Sequence, residues 1–523
     1  MKWRYPIAGG STKDDCKFPH RRVSGPALGW VGFAIALGVV LRVVPYCRNR
    51  SLWYDEALLA LNILHRPFSG LFDVLDYHQG APVGFLLLEK FVTRIVGGSE
   101  LALRFVPLLL GVGAMFLLLN LARACISARA VALAALLFAV NEPLIYYSSE
   151  VKQYSCDVAI TLLMLWVILR FLQSEMSVAS TFELGLLGAL TIWFSHPVSF
   201  LLAGSAVPLV LIVWRRRPSH LFRITCAIFL WGISFALFYF LSLRRLGEDR
   251  ILIDFWRNFF PPIPPWSQET PQWLFARGLA ILGDSRSPAT VLSAAMFAAG
   301  CGALIQKKKA AFLWLICGTG GMTLFASYLH KYPLADRLLL FAVPIALLCV
   351  AEGTVWLADT IFRSQAVRVG LIVLVLANPV WLAMRSIIAP NRPDDIRPAI
   401  DHILVHQREG DALYVYSQAR RQFQYYADLR NVSVGNVHFG ADCGVIPSCY
   451  EADLESLHRP SRVWILLSHI LINGQTDEEQ IILAQLDAMG VRLDEKRSPG
   501  ARAYLYDLST GAKTISKPAL PQP

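Results

Sequence analysis

The sequence predicts an all-α polytopic membrane domain followed by a small extracytoplasmic α/β domain. Three observations predict it. Of 523 residues, 55% are hydrophobic and only 17% charged, and the mean hydropathy is +0.46. Apolar runs recur that are each long enough to cross a bilayer as a helix, about 11 transmembrane helices in all. Their continuity argues for helices over barrel strands. From residue 390 the pattern changes to short polar and apolar segments in alternation.

The net charge of +11 does not indicate a nucleic-acid partner. Residues 390–523 carry more acidic than basic side chains, so the basic excess lies in the apolar part. It sits in short loops such as "WRRRPSH" and "IQKKKA", as cytoplasmic loops do. The tail 1–27 carries Lys2, Arg4, Lys13, Lys17, Arg21 and Arg22, which places it in the cytoplasm. The first apolar stretch, 28–46, lacks a small-residue cleavage site and reads as a signal anchor.

Charge and parity then order the elements of a transmembrane domain over 28–389. The first span exits, so "SLWYDEALL" is extracytoplasmic. Segments 101–122 and 128–147 flank a cytoplasmic turn marked by Arg123 and Arg129. Segment 81–97, "APVGFLLLEKFVTRIVG", is short and carries Glu89, Lys90 and Arg94. It reads as an interfacial helix, so the first outer loop runs from 47 to 100. Spans follow at 156–173, 182–195, 197–214 and 222–242. An outer loop with "DFWRNFFPPIPPW" separates them from spans at 288–305, 310–329, 338–357 and 368–389. The C-terminal region, 390–523, is then extracytoplasmic.

That region opens on a polar linker, "APNRPDDIRP". "AIDHILVHQ", "ARRQFQYYADL" and "DEEQIILAQLDAMG" read as helices, and "DALYVYS", "RVWILLSH" and "ARAYLYDL" as strands. Most of the ten cysteines lie in apolar runs, where a small buried thiol is the usual reading. Cys443 and Cys449 lie in a polar loop; they form a local disulfide if it is extracytoplasmic, and are otherwise two thiols. Asn431-Val-Ser is a glycosylation triplet of a kind that also occurs by chance.

This topology collects ionisable groups at the outer membrane face. They are Asp55 and Glu56, then Asp76 and His78, then Glu150, Lys152, Tyr154 and Asp157, then His196, then Lys331, Tyr332, Asp336 and Arg337. Ionisable groups beside the apolar zone are costly and raise a functional hypothesis. Plainer readings exist for each. Acids favour a first helical turn, His196 precedes a proline, and Arg337 can anchor by snorkelling. A divalent metal could sit among Asp55, Glu150 and His196, although no ligand spacing demands one.

"SLWYDEALLALNIL", "DYHQGAPVGFLLLEKF", "GGSELALRFVPLLLGV" and "YYSSEVKQYSCDVAITLL" together resemble the GT-C glycosyltransferases, in the protein O-mannosyltransferase and lipid A aminoarabinose transferase branch. The resemblance covers about residues 28–400, most specifically 50–160. It implies a GT-C-like fold in the membrane of a bacterial cell envelope. It also implies transfer of a sugar from a polyprenyl-phosphate donor to a lipid, glycan or protein acceptor, with inversion. By the same resemblance Asp55 would be the general base on the acceptor hydroxyl or would orient it, Glu56 would position Asp55 or the acceptor, and Glu150 would be the acidic residue of the second loop. Many relatives follow that acid with Arg-x-x-Tyr; here Lys152-Gln153-Tyr154 matches only approximately. Arg337 and Lys331 would hold the donor phosphate, with His78, His196 and Tyr332 as further substrate-binding candidates. The competing readings are an O-antigen ligase or polymerase and a non-enzymatic lipid or solute transporter. The early Asp–Glu pair, the outer clustering of charge and the lack of a repeat speak against both.

Overall fold

The computed structural model describes residues 26–174, 176–431, 436–457, 461–473 and 476–509. The basic residues of the N-terminal tail, and Val432 and Ser433 of the Asn431 triplet, lie outside them. In chain order the helices begin with α1 (Pro26–Cys47), α2 (Tyr54–His65), α3 (Val83–Val96), α4 (Glu100–Cys125), α5 (Ala128–Ala139), α6 (Glu142–Tyr146) and α7 (Tyr154–Gln173). They continue with α8 (Val178–Thr191), α9 (Val198–Arg216), α10 (Leu221–Phe238), α11 (Arg244–Leu246), α12 (Arg250–Phe255) and α13 (Thr270–Ala280). The last membrane-type helices are α14 (Pro288–Gln306), α15 (Ala310–Tyr328), α16 (Val343–Ile361) and α17 (Gln365–Ile388).

Among the described residues nine helical runs are long and apolar enough to cross a membrane. There are ten if α5 and the α6 segment, bent by 60°, form one span. α8 is the remaining apolar segment. At 14 residues it is about 21 Å long, shorter than the hydrocarbon core, and it gives way to turns before Pro197. α3 is equally short and buries one face of Val83, Phe85, Leu86 and Glu89. α17 is apolar along its length and buries only Val375 and Ala383; a helix that is apolar all round and unburied by protein needs lipid around it. The chain is an integral membrane protein.

Glycines set how closely the helices pack. A Cβ on Gly300 of α14 would overlap the Cys349 carbonyl of α16, and one on Gly353 of α16 would overlap the Met296 carbonyl. Gly204 of α9 and Gly318 of α15 meet in the same way. Without a hydrophobic drive between helices in lipid, such close backbone approach is what holds them.

α4 gives the bundle its two ends. Near its start, Arg104 binds Glu56 of α2; near its end, the Ala124 carbonyl accepts from Lys309. Twenty residues of helix separate these points, about 30 Å, the thickness of a bilayer core. The Lys307–Lys309 cluster and the α2 helix therefore lie at opposite ends.

The C-terminal region folds as α18 (Arg397–His406), α19 (Arg420–Arg430), α20 (Pro447–Glu455) and α21 (Glu478–Met489) around strands. The strands are β1 (Ala412–Val415), β2 (Asn436–Phe439), β3 (Arg462–Ser468), β4 (Ile472–Asn473), β5 (Thr476–Asp477), β6 (Val491–Ser498) and β7 (Ala501–Asp507). The main sheet has the order β2-β1-β3-β7-β6. β1 runs parallel to β2 and β3, whereas β7 runs antiparallel to β3 and β6. β1 and β3 are buried throughout their apolar runs, as central strands covered on both faces are. Cys443 and Cys449 are disulfide-bonded.

Candidate active site

The site is built on the first turn of α2. The helix starts at Tyr54, directly after an extended Trp53. Its two acids diverge. Glu56 turns inward and is fully buried. Its oxygens accept from Arg104 Nε at 2.9 Å and Nη2 at 2.6 Å, a two-pronged pairing that suits the planar guanidinium. The Val151 N–H donates to it at 2.8 Å, and Arg50 stands 3.9 Å away. Burial pushes the Glu56 carboxyl up, but Arg104 and Arg50 outweigh it and hold the group below its ordinary value.

Asp55 faces the other way. Its Oδ1 lies 3.0 Å from Lys152 Nζ and accepts from Gln79 Nε2 at 3.2 Å; its Oδ2 accepts from Arg337 Nη1 at 2.9 Å. Burial acts to raise its pKa, and Lys152 and Arg337 together more than reverse that. The side chain keeps 16% exposure, so the carboxylate remains reachable. Lys152 also donates to Gln79 Oε1 at 2.7 Å, and the Arg337 guanidinium lies 4.9 Å from the Trp256 ring centroid. Gln79 reaches the site because Tyr77 and His78 both adopt positive φ, 65° and 54°. Side chains are rarely held in that region, and residues strained in this way concentrate at functional sites.

Glu150 stands one layer behind. Its Oε1 accepts from the Trp53 indole at 2.5 Å, while Oε2 is buried without a hydrogen-bond partner. Burial, reinforced by the nearby Glu56 charge, pushes its carboxyl up to about 7. Tyr154 is buried with its ring 4.9 Å from that of Tyr147, within the electrostatic surroundings of Arg337.

The other sequence candidates lie apart from Asp55. His78 pairs with Asp249 at 2.7 Å and ties the first loop to the 243–287 loop. Lys331 donates to the Gly247 carbonyl at 3.1 Å. Tyr332 is buried and donates to the Leu338 carbonyl at 2.7 Å. The His196 ring lies against Phe238, with Nε2 buried and unpartnered. Asp157 and Ser195 are buried beside one another, and Ser199 Oγ is buried without a partner. Asp55, Glu150 and His196 do not bring ligand atoms to one point, so the metal grouping considered from the sequence does not form.

Sequence reasoning did not single out Arg104, Gln79, Trp53 or Trp256, nor the grip of the C-terminal region on the start of α2. Asp394 Oδ2 accepts from the Tyr54 N–H at 3.1 Å and pairs with His469 Nδ1 at 3.0 Å. The His469 ring stacks on Tyr54 at 4.4 Å. The Leu52 N–H donates to Tyr426 Oη at 2.8 Å, Gln422 donates to the Leu52 carbonyl at 2.9 Å, and Ser51 bonds Asp395. An acid that accepts from a first-turn N–H does the work of an N-cap, here from 340 residues away.

Residues 79–242 match the family described as dolichyl-phosphate-mannose-protein mannosyltransferase. No curated protein matches the chain. Among solved structures, ArnT from Cupriavidus metallidurans in the apo state aligns over 93% of this chain and 100% of its own, at 13% identity and a TM-score of 0.55. The chain carries a GT-C-like fold. ArnT bound to undecaprenyl phosphate shares the GT-C fold over 95% of this chain and 99% of its own, at 13% identity and a TM-score of 0.54. The archaeal oligosaccharyltransferase AglB from Archaeoglobus fulgidus, in complex with an inhibitory peptide and a dolichol-phosphate, aligns over 91% of this chain and 74% of its own, at 13% identity and a TM-score of 0.50. The GT-C alignments span the bundle and the C-terminal sheet together.

Proposed function

We propose that the chain transfers a sugar from a polyprenyl-phosphate donor to a lipid, glycan or protein acceptor at the outer membrane face. The observation that carries this reading is the reachable Asp55 carboxylate held between Lys152 and Arg337 on a GT-C fold. An acceptor hydroxyl attacks the anomeric carbon; the new C–O bond forms as the sugar–phosphate bond breaks. The hydroxyl proton passes to Asp55, and the bonding pair leaves with the polyprenyl phosphate. That leaving group needs charge neutralisation, which Arg337 supplies, while Lys152 stays on Asp55. Base and phosphate stand on opposite faces of the sugar in an inverting displacement, so the Asp55–Arg337 pair parts as the donor enters. Losing that cation raises the basicity of Asp55 at the moment it is needed. Glu56, locked to Arg104, fixes the α2 turn from behind. The buried polar groups near α7 and α9, Asp157, Ser195 and His196, offer hydrogen-bonding capacity for sugar hydroxyls.

The same reading places the N-terminus in the cytoplasm of a bacterial cell and residues 390–523 in the periplasm. The Lys307–Lys309 cluster and Asp55 lie at opposite ends of the bundle, which supports this orientation. The Cys443–Cys449 disulfide suits an oxidising compartment.

Membranes containing wild-type or Asp55→Asn protein at equal expression, supplied with radiolabelled polyprenyl-phosphate sugars, test the proposal. Loss of a general base lowers transfer by about 10²–10⁴-fold. Equal transfer by both proteins removes Asp55 from the chemistry. A flippase or transporter tolerates the substitution.

A further inference from the structure

We propose that His402, His406 and Asp494 form a binding site for a divalent transition-metal ion, zinc foremost, that staples α18 to the sheet. The site is independent of sugar transfer and shares no residue with the Asp55 site.

The helix pattern presents the two imidazoles together. Ala399, Ile400 and Ile403 bury the inner face of α18. His402 and His406 are one turn apart, as residues four positions apart on a helix are, with ring centroids 4.1 Å from each other. His402 packs its edge against Trp464 of β3 at 5.8 Å, which restricts its orientation. The third group comes from the facing strand. β6 shifts register against β7 between Arg492 and Asp494, and a bulge of this kind redirects a side chain. Asp494 Oδ2 lies 2.8 Å from His402 Nε2, while Oδ1 accepts from the Glu495 N–H at 2.7 Å. One ligand atom from each of the three residues lies within 4.8 Å of the others, and this is the one such trio among the described residues.

Two features suit the trio to a metal. The His406 Nδ1–H donates to the His402 carbonyl at 2.8 Å. That bond fixes the tautomer and leaves Nε2 as the ligating nitrogen, the arrangement that orients metal-binding imidazoles. The neighbouring cations are also occupied: Arg492 pairs with Asp487 and Glu495, and Arg497 with Glu495. Among the described residues Asp494 pairs with no lysine or arginine, so its charge remains for the histidines. Two nitrogens and one oxygen favour zinc and its neighbours over magnesium or calcium, which take oxygen ligands. Tetrahedral bonds of about 2.1 Å set ligand atoms about 3.4 Å apart. The His402–Asp494 contact therefore opens slightly and His406 closes. His402 stays against Trp464 while the more exposed His406 and Asp494 make this adjustment, and water completes the shell.

The test uses tag-free, full-length protein in detergent, stripped with a chelator and titrated with zinc chloride against a chromophoric competitor. The expected result is one zinc per chain in the wild type, bound at least about tenfold more weakly by His406→Ala and by Asp494→Asn. Zinc raises the thermal midpoint of the wild type and not of either variant; magnesium raises none. His406 is exposed at the helix end, so its removal leaves the fold intact. Absence of zinc binding in the wild type overturns the proposal, as does binding by both variants as tight as that of the wild type.

Discussion

Arg337 Nη1 lies 2.9 Å from Asp55 Oδ2, although 282 residues separate them in the chain. Lys152 holds the other carboxylate oxygen at 3.0 Å, so one acid is shared by two cations from α7's approach and from the start of the α16 run. Both lower the Asp55 pKa against the effect of burial. Lys152→Met removes one of them, so the Asp55 pKa rises. The ionised base is then lost at a higher pH, and the acidic limb of the pH–rate profile moves to higher pH. A profile of transfer against pH for both proteins checks this; an unmoved limb means that another group sets it.

The Glu56–Arg104 pair predicts a stability effect without direct contact with substrate. Arg104→Met leaves a buried carboxylate with much of its pairing gone, a loss of about 3–5 kcal/mol. Arg104→Lys keeps the charge but cannot reproduce the two-pronged geometry, and falls between. Thermal unfolding in detergent measures both. Stability unchanged in Arg104→Met contradicts the role given to the pair.

Glu150 predicts a pH dependence of the opposite sign to Asp55. Its carboxyl rises from 4.5 to about 7 in the folded protein, so folding favours the protonated form. The contribution is complete below pH 4.5 and is lost as pH rises through about 7. Glu150→Gln, neutral throughout, flattens the thermal midpoint across that window. Parallel slopes in the two proteins rule out Glu150 as the titrating group.

The α14–α16 crossing gives a prediction with an internal control. Gly300→Val pushes a side chain into the Cys349 carbonyl, whereas a Cβ on Gly302, on the same helix, meets nothing within 4 Å. Gly300→Val costs about 1–3 kcal/mol or more by overpacking, and Gly302→Val costs little. Thermal midpoints in detergent distinguish them. Because α16 continues from the segment carrying Arg337, transfer falls with stability in the first variant only.

The membrane architecture was legible because lipid demands long apolar runs. Of the eleven runs read as spans, nine are helices long enough to cross, 128–147 is bent by 60° and 182–195 is too short; the short, charged 81–97 segment is not long enough to cross. In the C-terminal region the strands around Leu413, Trp464 and Tyr504 were legible as apolar runs. β6, "VRLDEKRS", was not, since a sheet edge is protected by charge, and that charge hides the strand. β2, also an edge, was missed for the same reason of exposure. Asp55, Lys152 and Arg337 were named from the chain and meet in space. Arg104 was not, because an arginine inside an apolar run carries no local sign of its partner. The Asp394 contact with Tyr54 joins segments 340 residues apart, and no periodicity reports such a distance.

The Asp394 carboxylate and its His469 partner have a consequence for the order of biosynthesis. A ribosome makes the Asp55 turn early, and the residues that cap it emerge only after the last span. The first loop must wait, its opening helical turn uncapped by Asp394, while the bundle inserts. The final segment to be made then supplies these contacts, so a chain that ends before Asp394 lacks them even with every span in place.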